Sequence, residues 1–184
     1  AYPATSYIKG FLEEKEVSVA HMDLSIELFT SVFTGDFLRA IFKEAQDLGN
    51  FQYPQIREKK ERYISSVDVV IAFLQKQDIG TAKKILKTGF LPIGHRLMKV
   101  NRDIQWVAGE LGVIDKAKHH ATLFIEEIGD FITANVDEFF SFTKYAEQIA
   151  TSASSFDQLD EVLNYQPTLI EDEMFTILEA RIKE

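Results

Sequence analysis

The chain has 184 residues, of which 46% are apolar and 27% charged, the make-up of one ordinary globular domain or two small ones. Fifteen Phe can build a substantial core, which excludes intrinsic disorder for the bulk of the chain, and no apolar run reaches the roughly 18 residues of a membrane span. Net charge is −9 and Cys is absent, which removes disulfides, thiolate metal sites, iron–sulfur ligation and Cys nucleophiles.

The charge is unevenly spread. Residues 1–125 carry 17 basic and 15 acidic side chains, whereas residues 126–184 carry 3 and 14. An acidic balance of this kind argues against nucleic acid as a partner, because phosphate binding needs clustered Lys and Arg. No basic-then-apolar leader opens the sequence, and together with the missing Cys this points to a cytoplasmic protein.

Along the chain, Pro3 and the hydroxyls of Thr5 and Ser6 can start a helix, and Tyr7, Ile8, Phe11 and Leu12 recur at helical spacing. The period then changes. Val17, Val19 and His21 alternate with Ser18, Ala20 and Met22, which predicts one short strand ending at Asp23. From Ser25 the pattern is helical: a stripe of Ile26, Leu28, Phe29, Val32 and Phe33, a break at Thr34-Gly35-Asp36, and a second stripe through Phe42. A loop over residues 49–54 precedes a long helix from about Ile56 to Gln77, ended by Gly80, with Thr81 capping a short segment to Leu86.

After a second loop at 89–94, Leu97, Val100, Ile104 and Val107 predict a helix closing at Gly109 to Gly112. Asp115 can cap another to about Thr133, and a further helix is expected over 136–149. Ser155 and Gln158 have capping-box spacing for a helix through Leu163, and Pro167 precedes a last helix from about Ile170 to Ile182. The expected fold is mainly α: an array of eight or nine helices with one short strand near the N-terminus. One strand alone cannot satisfy its backbone groups, so its partner is either unrecognised or outside this chain.

Few residues suggest chemistry. His119 and His120 precede Glu126 and Glu127 by seven residues, whereas a helical metal site needs ligands three or four apart. His21 and Asp23, at a strand end, are the candidates for contact with a cofactor. His95 follows Gly94 at a helix start and reads as a loop contact. The acidic pairs Glu13–Glu14, Glu126–Glu127 and Asp137–Glu138, and the Glu171-Asp172-Glu173 run, read as solvated, the last also favouring a helix N-terminus. The mixed run Arg57 to Arg62 reads as a solvated face. The +6 balance over 57–118 offers a surface for the acidic last third, within the molecule or in a partner. No phosphate loop, G-x-S-x-G or metalloprotease motif is present.

The segment Tyr2-Pro3-Ala4-Thr5-Ser6-Tyr7-Ile8-Lys9-Gly10-Phe11-Leu12-Glu13-Glu14-Lys15, followed by Val17 to Asp23 and Leu24 to Phe29, resembles the start of radical SAM proteins with an N-terminal cobalamin-binding-type domain. The resemblance implies that Pro3 fills the loop after a first strand, that Tyr7, Ile8, Phe11 and Leu12 form the helix stripe, and that Asp23 closes the second strand. It further implies a first strand before Tyr2 and a catalytic barrel after Glu184. The family's triple-Cys cluster motif is absent from this chain, and so is its Asp-x-His-x-x-Gly cobalt-ligand motif. Residues 1–24 would then be a helix–strand remnant of a cobalamin-binding-type unit, and 25–184 a helical body within the same compact domain.

On this reading the chain is a non-catalytic accessory domain that covers the barrel or binds substrate or a partner. The parent oxidoreductase would hold a 4Fe-4S cluster and S-adenosylmethionine, while this chain holds no cofactor and is not expected to retain cobalamin. The alternative is a self-contained helical protein-interaction module. An all-helical enzyme using His119 and His120 ranks below both, because the ligand spacing is wrong.

Overall fold

A computed structural model describes residues 3–50, 52–99, 112–142 and 166–183. The helices are α1 (Pro3–Glu13), α2 (Leu24–Val32), α3 (Gly35–Asp47), α4 (Pro54–Glu58), α5 (Lys60–Lys76), α6 (Ile79–Leu86), α7 (helical over 95–99), α8 (Val113–Asn135) and α9 (Leu169–Lys183). Among the described residues no strand forms, which corrects the strand expected over 17–23. That stretch follows α1 without turn, bend or helix. The alternating pattern is real, but a ladder needs a second row of donors and acceptors, and none is present among the described residues.

Side-chain caps set several boundaries. Asp23 accepts from the Ile26 N–H at 3.2 Å and starts α2, so the residue expected to end a strand begins a helix. Thr34 accepts from Phe37 N and starts α3 at Gly35. The helix expected from Ile56 to Gln77 is divided at Lys59 into α4 and α5. It ends at Gln77, held at φ 54° in the left-handed region, rather than at Gly80, which lies inside α6 behind its cap Asp78. Gly112, not Asp115, is the N-cap of α8. Residues 136–142 are irregular instead of helical. The expected helical stretches at 100–111 and 143–163 lie outside the described residues.

The core draws on α2, α3, α5, α6 and α8. Tyr63, Ile64, Val67, Val70 and Phe73 form the buried stripe of α5 at helical spacing. Opposite it lie Ala117, Ala121, Phe124, Ile128, Phe131 and Ile132 of α8. Phe42 of α3 meets Phe131 at 4.8 Å between ring centroids, and Tyr63 stacks on Phe124 at 5.3 Å. The small Ala82, Ala117 and Ala121 are buried where α6 packs extensively on α8. Helix α9 packs on α2, where Glu173 pairs with Ser31 and the Arg181 guanidinium meets Glu27 at 3.0 Å. Among the described residues helix α1 is packed extensively on no other helix, and its Tyr7 (79% exposed), Ile8 and Phe11 face outward.

Candidate functional site

The densest polar arrangement lies where α7 starts against α8. Gly94 brings no side chain able to cap α7, so the first N–H groups need an acceptor from elsewhere. Glu127 supplies it from α8: its carboxylate accepts from Arg96 N at 2.6 Å, Leu97 N at 2.9 Å and the Tyr63 hydroxyl at 2.8 Å. Glu127 has no solvent exposure. Burial, with the adjoining carboxylate, pushes the Tyr63 hydroxyl far above its ordinary range, so it stays a donor. A Cβ on Gly94 would overlap both Glu127 and the Tyr63 hydroxyl, which is why glycine occupies this point.

One turn further along α8, Asp130 takes a two-pronged contact from Arg96, Nε at 2.6 Å and Nη2 at 2.9 Å, while Arg96 Nη1 reaches Glu126 at 2.6 Å. The hydrogen bond to Asp130 leads in raising the guanidinium above its usual value. Burial alone would raise the Asp130 carboxyl, but Arg96 and His95 outweigh it and hold the group below the usual carboxylate range. His95 Nε2 lies 2.7 Å from Asp130, and its ring stacks on Tyr53 at 4.8 Å. An open cleft of about 490 Å³ borders this network, with Tyr53, Arg96, Glu126, Asp130 and Phe140 in its wall.

The arrangement is a clamp. A His–carboxylate pair suggests acid–base work, but the outer ring nitrogen, His95 Nδ1, is buried with no hydrogen-bond partner. The Asp130 and Glu126 carboxylates are engaged by Arg96, so the cationic middle of the chain does meet the acidic last third, within one molecule.

The residues singled out from sequence are scattered. His21 is exposed, with Nε2 at 3.0 Å from the Thr5 hydroxyl, and Asp23 is spent on capping α2. His119 is exposed and His120 half-buried on α8; burial, then the neighbouring His119, lowers the His120 pKa. No group of three metal-ligating side chains occurs among the described residues. Glu126 and Glu127 point apart, one to Arg96 and one into the core. The Arg57–Arg62 run is more than a solvated face, since Lys59 and Arg62 donate to backbone carbonyls of Ile93, Gly89 and Leu91.

Sequence reasoning read Glu127 as part of a solvated acidic pair, whereas it is fully buried, and missed Arg96. The one available signal was a helix start at Gly94 with no Ser, Thr, Asp or Asn to cap it. It also missed Thr168, which with Glu171 forms a reciprocal capping box for α9.

Among the described residues no helix is long and apolar enough to cross a membrane. Comparison of the chain with protein-family models, with curated proteins and with solved structures found no match.

Proposed function

We propose that this chain is a docking domain with no reaction of its own, the N-terminal accessory region of a radical SAM iron–sulfur oxidoreductase-like protein. The observation that carries the docking role is the stripe Tyr7, Ile8 and Phe11, 79%, 57% and 60% exposed on a helix that packs extensively on no other helix among the described residues. Three large apolar side chains side by side in water are characteristic of a contact surface. The likeness of residues 2–29 to the start of that family, with Tyr7, Ile8, Phe11 and Leu12 matching its helix stripe, supports the choice of parent. Cluster, S-adenosylmethionine and radical chemistry belong to the parent's barrel, which this domain would cover or serve by holding substrate or a partner.

Sequencing the open reading frame on both sides tests the assignment. An upstream strand-forming segment and a downstream C-x-x-x-C-x-x-C support it; a stop directly after Glu184 overturns the radical SAM parent. A second reading, a self-contained helical interaction module, is favoured by the helical body from α2 onward, which among the described residues does not alternate strands with helices. The two differ in whether a barrel is covalently attached.

A further inference from the structure

A second cavity lies where α2, the irregular stretch 137–142 and the start of α9 meet. It is a groove of about 590 Å³ whose wall includes Phe29, Phe33, Phe140 and Phe142. The rings are contiguous: between centroids Phe29 lies 4.7 Å from Phe33, and Phe33 lies 5.6 Å from Phe142. Among the described residues the lining holds two charged side chains, and both are acids, Asp137 and Glu171. Thr168 draws them together, its hydroxyl donating to Asp137 Oδ2 and its N–H to Glu171 Oε2, each at 2.9 Å.

Asp137 is the unusual member, a carboxylate on a residue only 6% exposed. Among the described residues both of its partners are neutral: the Thr168 hydroxyl, and the Phe139 N–H at 2.9 Å from Oδ1. An Asn could accept from the one and donate to the other, so these hydrogen bonds alone do not call for a charge. A buried carboxylate costs stability unless a cation lies close to it. Among the described residues no Lys, Arg or His lines the groove to supply one.

We infer that this groove binds a small organic ammonium ion, its apolar body against the Phe wall and its cationic end at Asp137 and Glu171. The inference goes beyond the docking role, which belongs to α1, and does not rest on it. The volume falls within the roughly 300–1,000 Å³ of small-molecule sites, which favours a compact ligand over a protein segment. Charge decides the end group. A carboxylate or phosphate at this rim would meet two like charges, and a neutral apolar molecule would strip water from Asp137 without replacing it. A cation gains from the carboxylates and also from aromatic faces, which attract it within about 6 Å.

The test uses the 184-residue chain and three probes that share one aromatic body and differ in end charge: phenethylammonium, phenethyl alcohol and hydrocinnamate. Calorimetry, with the methyl resonance of Met174 in the groove wall as reporter, should show saturable binding of phenethylammonium at about 1 mM, the affinity open to so small a ligand. The ammonium should bind about tenfold or more tighter than the alcohol, with hydrocinnamate weakest. Asp137→Asn should erase the preference for ammonium over alcohol. Phe29→Leu, which keeps the Asp137 contacts, should weaken the ammonium about fivefold and the alcohol less. Equal binding of ammonium and alcohol to the unsubstituted chain would overturn the inference, because the groove would then select no charge. Binding that leaves Met174 unperturbed, or no saturation by about 20 mM, would overturn it as well. Tighter binding of acetyl-lysine amide, acetylated on its α-nitrogen, than of phenethylammonium would assign the groove to a Lys-bearing protein segment and overturn the small-molecule ligand.

Discussion

Replacing Glu127 with Ala tests whether the buried carboxylate is what fastens α7 to the core. It removes the acceptor for three donors: Leu97 N and the Tyr63 hydroxyl, both buried, and Arg96 N, which is partly sheltered. A buried donor left without a partner costs about 1–3 kcal/mol. Two such donors plus a discounted third give a loss of about 3–5 kcal/mol, the range seen when a buried charged contact is broken from one side. With a urea slope of about 2 kcal/mol/M the unfolding midpoint should fall by roughly 2 M. Gln at the same position can turn its carbonyl to the two N–H groups and let the Tyr63 hydroxyl accept from its amide, so Glu127→Gln should lose only about 1 kcal/mol. Tyr63→Phe should cost about 1–2 kcal/mol in the parent and almost nothing once Glu127 is Ala. Equilibrium urea unfolding followed by circular dichroism reads the unsubstituted chain and the four variants. A loss below 1 kcal/mol for Glu127→Ala, or strictly additive effects of the two substitutions, would refute the account.

Three other outcomes follow from the same geometry. Gly94→Ala should cost about 2–3 kcal/mol, because its Cβ meets Glu127 and Tyr63, which are both fixed. Gly129→Ala should cost less, because the nearest atoms to its Cβ belong to the Phe142 ring, 44% exposed and carried by an irregular segment rather than by the core helices; equal losses in thermal unfolding would contradict this. Asp130 has a folded pKa below its unfolded one, so its contribution is complete above the ordinary Asp value and is lost as pH falls through the lower folded value. Asp130→Asn should therefore be less stable at neutral pH and show a flatter acid limb, as read from unfolding midpoints between pH 7 and pH 2 (about the carboxylate range). For His120, burial favours the neutral ring, so the native state binds fewer protons and stability falls as pH drops below about 6.5. His120→Gln should remove that slope, and an unchanged pH profile would show that the ring is not desolvated.

What the sequence determined by itself is the helical class and the inward faces. Tyr63 to Phe73 and Phe124 to Ile132 recur at the helical period, and burial of large apolar side chains decides which face turns in whatever the neighbours are. The loops at 49–54 and 89–94 were legible for the same local reason, their Gly, Asn and Pro. The candidate site was not legible. Its members come from the Tyr53 loop, α5, the start of α7 and α8, and no spacing rule links Tyr63 to Glu127 or Arg96 to Asp130.

The strand expected over 17–23, which does not form, marks the same limit from the other side. Alternation in the sequence is a local property, but a strand exists only when a second backbone lies beside it, and none does among the described residues. Helices close their hydrogen bonds within their own sequence; ladders, clamps and buried carboxylates close theirs through space. That is why the helices could be read from sequence, whereas the destination of Glu127 and the pairing of Arg96 with Asp130 were decided only by the tertiary structure.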